Sequence, residues 1–193
     1  MIDNIDRSFC VAPMMGYTTP YARKLYTILS RNAFLFTEMI ATKTMLHSKN
    51  KDLIIENDEH NPVALQVGGS DLDDLKKCSE IAHSYNYDEI NLNVGCPSKA
   101  VQKGSFGACL MQNKVLVKQC LEEMQNSKIN VSMKLSSSLL LNEYPLELFS
   151  KKSLGPLSQS LDIIEVLLIA ASIKTKPGSS HKDDRMKNLQ FFK

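Results

Sequence analysis

Short apolar stretches of strand length recur along the N-terminal part of the chain, separated by stretches of helical periodicity. Five of them predict buried strands: FCVAPM (9–14), AFLFTEM (33–39), PVALQVGG (62–69), EINLNVG (89–95) and NVSMKL (130–135). Apolar residues spaced three or four apart predict amphipathic helices over residues 20–30, 72–85 and 116–124. Strands that alternate with helices imply parallel β–α–β units, so the predicted fold class is α/β.

Two α/β architectures remain open, a doubly wound sheet and a (β/α)8 barrel. A dinucleotide-binding sheet carries G-x-G-x-x-G after its first strand, and APMMGYTTP lacks it. In a barrel the functional groups collect at the C-terminal ends of the strands. Conspicuous residues stand there after each predicted strand: Pro13–Met15, Glu38, Gln66, Asn93 with Cys96, and Lys134. The pattern favours the N-terminal part of a (β/α)8 barrel, truncated and not closed, since a complete barrel takes about 250 residues.

Composition narrows the class of protein only a little. Hydrophobic content of 43% and charged content of 23% are typical of a soluble globular protein, and a net charge of +2 permits a polyanionic partner without arguing for one. The apolar stretch LDIIEVLLIAASI (161–173) is too short and too charged to span a bilayer. The five cysteines form no C-x-x-C pair and no zinc-type spacing, so no metal site is expected. An odd number of cysteines without a signal peptide predicts a cytoplasmic location.

The stretch EINLNVGCPSKAVQKGSFGACL (89–110) presents a thiol directly after a buried strand, in a loop with three glycines and two lysines. A free thiol has a pKa of about 8.5 and is mostly protonated at neutral pH, so a thiol in this position can act as a general acid. The alternative is that Cys96 is an inert, half-buried cysteine.

Other strand-end residues have two interpretations each. Gln66 offers a donor and an acceptor, which suits the edge of a flat heterocycle. Lys134 requires a phosphate or an electron-rich ring as neighbour if it points inward, and is otherwise a solvated lysine. Glu38 and Asn93 could be ordinary caps of the strand ends.

Several motifs together resemble a known family. VAPMMGYT, LFTEM, HNPVALQVGGSD, YDEINLNVGCPSKAVQKGSFGACLM and VSMK, in this order over roughly residues 8 to 134, are similar to the tRNA-dihydrouridine synthases, specifically the A-type bacterial subfamily. The resemblance implies an FMN-bearing barrel that reduces a uridine of the tRNA D-loop to 5,6-dihydrouridine and uses NADPH to reload the flavin. It implies tRNA as partner, with no DNA, membrane or obligate protein partner.

The resemblance also assigns roles to matching residues. Pro13, Met14 and Met15 would contact FMN, Gln66 would meet the isoalloxazine edge, and Lys134 would lie against the flavin ring. Cys96 would donate a proton to uridine C5 while flavin N5 delivers hydride to C6, and Asn93 would contact the substrate nucleotide. Lys99 and Lys103 would meet phosphates, and the alternative is that they are solvated loop lysines.

The resemblance stops after Lys134. Where the family continues K-x-R-x-G, this chain has Ser136 and Ser138, and an abrupt loss of pattern within a strand suggests a frameshift. The expected organisation is a partial FMN barrel over residues 1–134 and an aberrant segment over 135–193, disordered from 174, with impaired activity. The alternatives are a non-catalytic remnant of the enzyme and a flavin-dependent barrel oxidoreductase acting on a small molecule.

Overall fold

A computed structural model of the chain describes residues 6–50, 57, 61–135 and 162–164. The strands are β1 (Cys10–Val11), β2 (Phe34–Phe36), β3 (Ile40–Ala41), β4 (Val63–Gly68), β5 (Glu89–Asn93), β6 (Asn130–Lys134) and β7 (Asp162–Ile164). The helices are α1 (Pro20–Leu29), α2 (Thr42–His47), α3 (Leu72–Ser84), α4 (Lys99–Lys103) and α5 (Lys114–Gln125), with a 3-10 helix over Gly107–Gln112. The α/β class is therefore confirmed.

The strands form a single parallel sheet in the order β1-β2-β4-β5-β6-β7, and β3 pairs with the end of β4. Each main strand lies beside the one before it, which is the order of a barrel rather than of a doubly wound sheet. Asn93 of β5 is opposite Lys134 of β6 in the register. Within the described residues the sheet is open, with β1 and β7 at its two ends. It is the partial barrel that the sequence predicts.

The longer helices begin at residues whose side chains bond to the first turn. Thr19 accepts a hydrogen bond from the Ala22 N–H ahead of α1, Asp71 from Asp74 ahead of α3, and Asn113 from Leu116 ahead of α5. These caps satisfy backbone donors that have no partner inside the helix. No helix in the described part of the chain is long and apolar enough to cross a membrane.

Several element boundaries differ from the sequence-based expectations. The strand predicted over 33–39 ends at Phe36, because the Thr37 hydroxyl accepts the Gln66 N–H at 3.0 Å, and β3 then forms separately. Because β3 pairs with Val67 and Gly68, β4 extends to Gly68, and Gln66 lies inside it rather than at the strand end. The loop expected after Cys96 contains α4 and the 3-10 helix, and Ser98 caps α4 through the Val101 N–H.

The two faces of the sheet differ in chemistry. Alternate residues of β4, β5 and β6, such as Leu65, Leu92 and Met133, pack with α3 and α5 in the main apolar core. The intervening residues point to the opposite face, because successive side chains of a strand alternate. On that face β2 and β4 contribute a small apolar cluster around Phe34 and Phe36, while β4, β5 and β6 contribute polar side chains. The polar part, called the polar face below, comprises Gln66, Glu89, Asn91, Asn93, Ser132 and Lys134.

Candidate functional site

The polar face is buried, although parallel strands covered on both sides are usually apolar throughout. The exposed fractions of its six side chains range from 0% for Asn91 to 9% for Lys134. Burying a polar group costs free energy unless the group is hydrogen-bonded. Stability alone does not explain why this face of the sheet is polar. The polar face is therefore the candidate site.

At one end of the polar face, Asn93 holds the turn that follows β5. Its Oδ1 accepts the backbone N–H of Cys96 at 2.9 Å and that of Gly95 at 3.2 Å. Its Nδ2 donates to Gln66 Oε1 at 2.9 Å. The cap that the sequence offers as an alternative role for Asn93 is thus real, and the same amide also links the turn to β4.

From Gln66 the bonds continue towards the N-terminal end of the strands. Gln66 Nε2 donates to Asn91 Oδ1 at 2.7 Å, and Asn91 Nδ2 donates to Ser132 Oγ at 2.7 Å. The Ser132 hydroxyl donates to the carboxylate of Glu89, which also pairs with Arg7. The series Asn93–Gln66–Asn91–Ser132–Glu89 is called the amide relay below. Each of its bonds joins neighbouring strands, so strand register sets its geometry.

The loop that carries Cys96 is packed tightly against itself. The Cys96 carbonyl accepts the Ala108 N–H at 3.0 Å. A Cβ at Gly107, which has a φ of +66°, would lie 2.7 Å from that carbonyl oxygen and 2.3 Å from Val101 Cγ1. The thiol of Cys96 remains half-buried. The residue that the sequence singles out is accessible in a loop whose backbone is fixed.

Phe106 fastens the same loop to the sheet. A Cβ at Gly68, the last residue of β4, would lie 2.6 Å from the Phe106 ring, and one at Gly104 would lie 2.3 Å from it. The two glycines therefore allow the ring to pack directly against backbone on both sides. The cysteine loop is held to the C-terminal end of β4 by this contact.

Lys134 ends β6 beside Asn93 and is only 9% exposed, so its interpretation as a solvated lysine is wrong. Burial lowers the pKa of its ammonium group, and an electrostatic interaction with Cys96 partly opposes that shift. Within the described part of the chain, the structure gives no hydrogen bond or ion pair from this ammonium. Lys134 and Cys96 are thus close enough to interact electrostatically, and none of the described residues accepts a hydrogen bond from the ammonium group.

The turn after β1 is organised separately. The Met14 carbonyl accepts the N–H groups of Tyr17 and Thr18, at 3.0 and 2.9 Å, and the Met14 N–H donates to Thr18 Oγ1 at 3.0 Å. The Gly16 N–H donates to the Glu38 carboxylate, so Glu38 caps this turn. Pro13 and Met14 are half-buried and Met15 is 65% exposed.

Of the residues that the sequence selects, the structure brings Gln66, Asn93, Cys96 and Lys134 into one group. Pro13–Met15 belong to the separate turn whose Gly16 N–H donates to Glu38, and the hydrogen bonds of the described residues do not join that turn to the amide relay. Lys99 is exposed at the start of α4, and the side chain of Lys103 lies outside the described part of the chain.

Sequence reasoning missed three members of the relay, Glu89, Asn91 and Ser132. The signal was present in EINLN, where a polar residue occupies every second position of a buried strand. The structure assembles no group of three or more potential metal ligands from the residues it describes.

Comparison with known proteins decides the family. A family model described as dihydrouridine synthase matches residues 10–139, about two thirds of the chain. The chain belongs to the dihydrouridine synthase family. Members of this family are TIM-barrel oxidoreductases, generally flavin-dependent, which agrees with the parallel, partial barrel sheet described above.

Curated relatives carry the same family name in more detail. The chain is 50% identical over 118 residues to the tRNA-dihydrouridine(20/20a) synthase of Escherichia coli (strain K12), and 46% identical over 122 residues to that of Shewanella oneidensis. These alignments cover 61% and 63% of this chain but 34% and 36% of the relatives. The chain therefore spans about a third of the length of the curated dihydrouridine synthases it matches.

Proposed function

We propose that residues 1–134 form the flavin- and uridine-facing part of a tRNA-dihydrouridine synthase of the A-type bacterial subfamily. The reaction would be the FMN-dependent, NADPH-driven reduction of a D-loop uridine in tRNA to 5,6-dihydrouridine, in the cytoplasm. The single observation that carries the proposal is the grouping of a half-buried thiol, a buried ammonium and two bonded amides towards the C-terminal ends of neighbouring strands, in a chain of this family.

The residues present fit a flavin. Lys134 is a buried cation from which no described residue accepts a hydrogen bond, and an electron-rich ring or anionic group would compensate it. Gln66 still has one amide hydrogen and one oxygen lone pair beyond its bonds to Asn91 and Asn93, enough for one donor and one acceptor contact with a ring edge. Pro13, Met14 and Met15 would cover the cofactor from the end of β1. When bound, FMN supplies the hydride for uridine C6, and NADPH restores the reduced flavin.

Cys96 would supply the proton. The Cys96 backbone is held by its N–H bond to Asn93 and by the close approach of Gly107, so the thiol would start from a fixed position from which to reach C5 of a base that has been taken out of its RNA stack. Asn93 would also contact the substrate nucleotide. The exposed Lys99, with Lys103 in the same helix, would meet tRNA phosphates.

We further propose that the family-like part ends close to Lys134, within a few residues of the end of the family match at residue 139, and that the remainder of the chain departs from the family pattern and weakens activity. Flavin phosphates in such barrels bind loops after the last strands. The test therefore takes those last strands from a relative.

The test is a chimera in which residues 10–134 of this chain replace the matching part of the E. coli relative. The chimera is expressed in cells without other dihydrouridine synthases, and tRNA uridine is checked for a two-dalton gain. We expect dihydrouridine with the chimera, and Cys96→Ala should lower the rate by about 10²–10⁴-fold while flavin stays bound.

Cys109→Ala is the matched control, since Cys109 is another half-buried thiol in the same loop region. It should leave the rate within about twofold. An active Cys96→Ala chimera would refute the proton-donor assignment. A chimera that folds with bound flavin but never modifies tRNA would refute the proposed substrate and favour a small molecule.

A further inference from the structure

Three members of the amide relay have no place in the proposed contacts with cofactor or substrate. Asn91 and Ser132 are completely buried and Glu89 is 1% exposed, yet their bonds lead in series to Gln66 and Asn93. A buried polar chain is costly when any member is left without its partner. A connected set of buried polar side chains across β4, β5 and β6 is therefore expected to have a role beyond stability.

The two ends of the relay have fixed and opposite polarity. At the Cys96 end, backbone N–H groups can only donate, so the oxygen of Asn93 must face them. At the other end, the Glu89 carboxylate is paired with Arg7 and accepts the Ser132 hydroxyl, which therefore cannot donate to Asn91.

Between these ends the amides have no freedom of orientation. Each one turns its oxygen towards Cys96 and its nitrogen towards Glu89: Asn93 to Gln66, Gln66 to Asn91, and Asn91 to Ser132. Flipping one amide would bring two donors together on one side and two acceptors on the other. The relay therefore selects one state out of the two that every amide could otherwise adopt.

We propose that Asn91, Ser132 and Glu89 are positioning residues that fix the orientation of the Gln66 and Asn93 amides and, through Asn93, the backbone of the Cys96 turn. The remaining N–H donor and oxygen acceptor of Gln66 then have fixed positions relative to each other. A flat heterocycle whose edge carries an acceptor opposite that donor and a donor opposite that acceptor is accepted, and one with the two groups exchanged is rejected. The inference deepens the proposed function and depends on it for the ligand, but the relay itself can be tested without any ligand.

The test compares three variants at position 132 in the full chain, free of ligand. Ser132→Ala removes the hydroxyl that connects Asn91 to Glu89, whereas Ser132→Thr keeps it. Ser132→Cys keeps the shape with a weaker hydrogen bond, and serves if the alanine variant does not fold. Hydrogen exchange is followed by NMR at the Cys96 backbone N–H and the Asn93 side-chain amide.

Ser79→Ala is the matched control. Ser79 is also completely buried, and its hydroxyl donates to the Leu75 carbonyl at 2.9 Å within α3, away from the relay. The substitution thus removes a buried serine hydroxyl without touching the polar face. The backbone N–H of Leu121, in the core part of α5, reports changes in overall stability.

We expect Ser132→Ala to speed exchange at Cys96 and Asn93 about tenfold beyond any change at Leu121. Ser132→Cys should give an intermediate effect, and Ser132→Thr and Ser79→Ala none beyond the change at Leu121. Equal acceleration at all three reporters, or no acceleration at Cys96 and Asn93, would overturn the proposal. Titration of the chimera with FMN separates the two hypotheses, because loss of flavin binding refutes the proposed function while the exchange pattern still decides the relay.

Discussion

Gly107→Ala should destabilise the protein more than Gly16→Ala, because Gly107 has both a positive φ and close neighbours whereas Gly16 has only the positive φ. Gly107 has a φ of +66°, where a residue with a Cβ costs about 1–2 kcal/mol. The added Cβ would also lie 2.3 Å from Val101 Cγ1 and 2.7 Å from the Cys96 carbonyl oxygen. Moving these two neighbours away from the new Cβ costs a further 1–3 kcal/mol, roughly. The expected loss is therefore about 2–5 kcal/mol in the free energy of unfolding.

Gly16→Ala isolates the first of these two costs. Gly16 has a φ of +78°, but a Cβ there would meet no heavy atom within 4 Å. Its expected loss is the conformational cost alone, about 1–2 kcal/mol. The gain from a less flexible unfolded chain applies to both glycines and cancels in the comparison. The difference between the two variants measures the steric part.

The assay is urea unfolding followed by far-ultraviolet circular dichroism, at a protein concentration low enough to prevent self-association. Alkylation of Cys96, quantified on its peptide by mass analysis, accompanies each variant. Gly107→Ala should lower the midpoint more and change the alkylation rate of Cys96, whereas Gly16→Ala should leave that rate unchanged. If the two variants lost the same stability to within about 0.5 kcal/mol, the tight packing of the cysteine loop would be refuted.

Three other outcomes follow from the site. Lys134→Met should raise the melting temperature of the ligand-free chain, because burial lowers the pKa of Lys134 and the unfolded state therefore binds its proton more tightly. The resulting loss of wild-type stability is present at neutral pH and fades as the pH rises towards the ordinary lysine pKa. A variant no more stable than wild type in calorimetry would contradict this. Burial raises the pKa of Cys78 to about 12 and that of Cys120 to about 11, so iodoacetamide near neutral pH should label Cys96 at least about tenfold faster than either, and equal labelling of the folded chain would argue against that burial. Gly68→Ala should release the Phe106 ring from β4 and destabilise the chain by about 1–3 kcal/mol in urea unfolding, and an unchanged midpoint would contradict the contact.

The sequence predicted the main elements well because their signals are local. The alternation of Ile90, Leu92 and Val94 identified β5 and its buried face, and the helical spacing around Cys78 identified α3. Short elements such as β3 and α4 escaped because fewer than six residues show no clear period. Their positions depend on contacts with the rest of the sheet.

The candidate site was predicted residue by residue but not as a connected unit. Cys96 and Asn93 were visible from their place after a strand, whereas the partners of Gln66 depend on which residues of β4 and β5 lie opposite each other. A shift of one residue in that register would turn every one of these side chains to the opposite face. Lys134 illustrates the same limit, because only the fold decides between a buried and a solvated ammonium.

The polar face also bears on how this protein can change over evolutionary time. Positions 66, 91 and 132 lie far apart along the chain, yet each one's side chain is the hydrogen-bonding partner of the next. Replacing one of them by an apolar residue leaves a buried donor or acceptor without its partner, which destabilises the protein. Replacing all of them together by well-packed apolar residues need not cost stability. Among descendants of this sequence these positions should therefore be kept together or replaced together. A lineage that no longer uses the site should show correlated hydrophobic replacements across β4, β5 and β6.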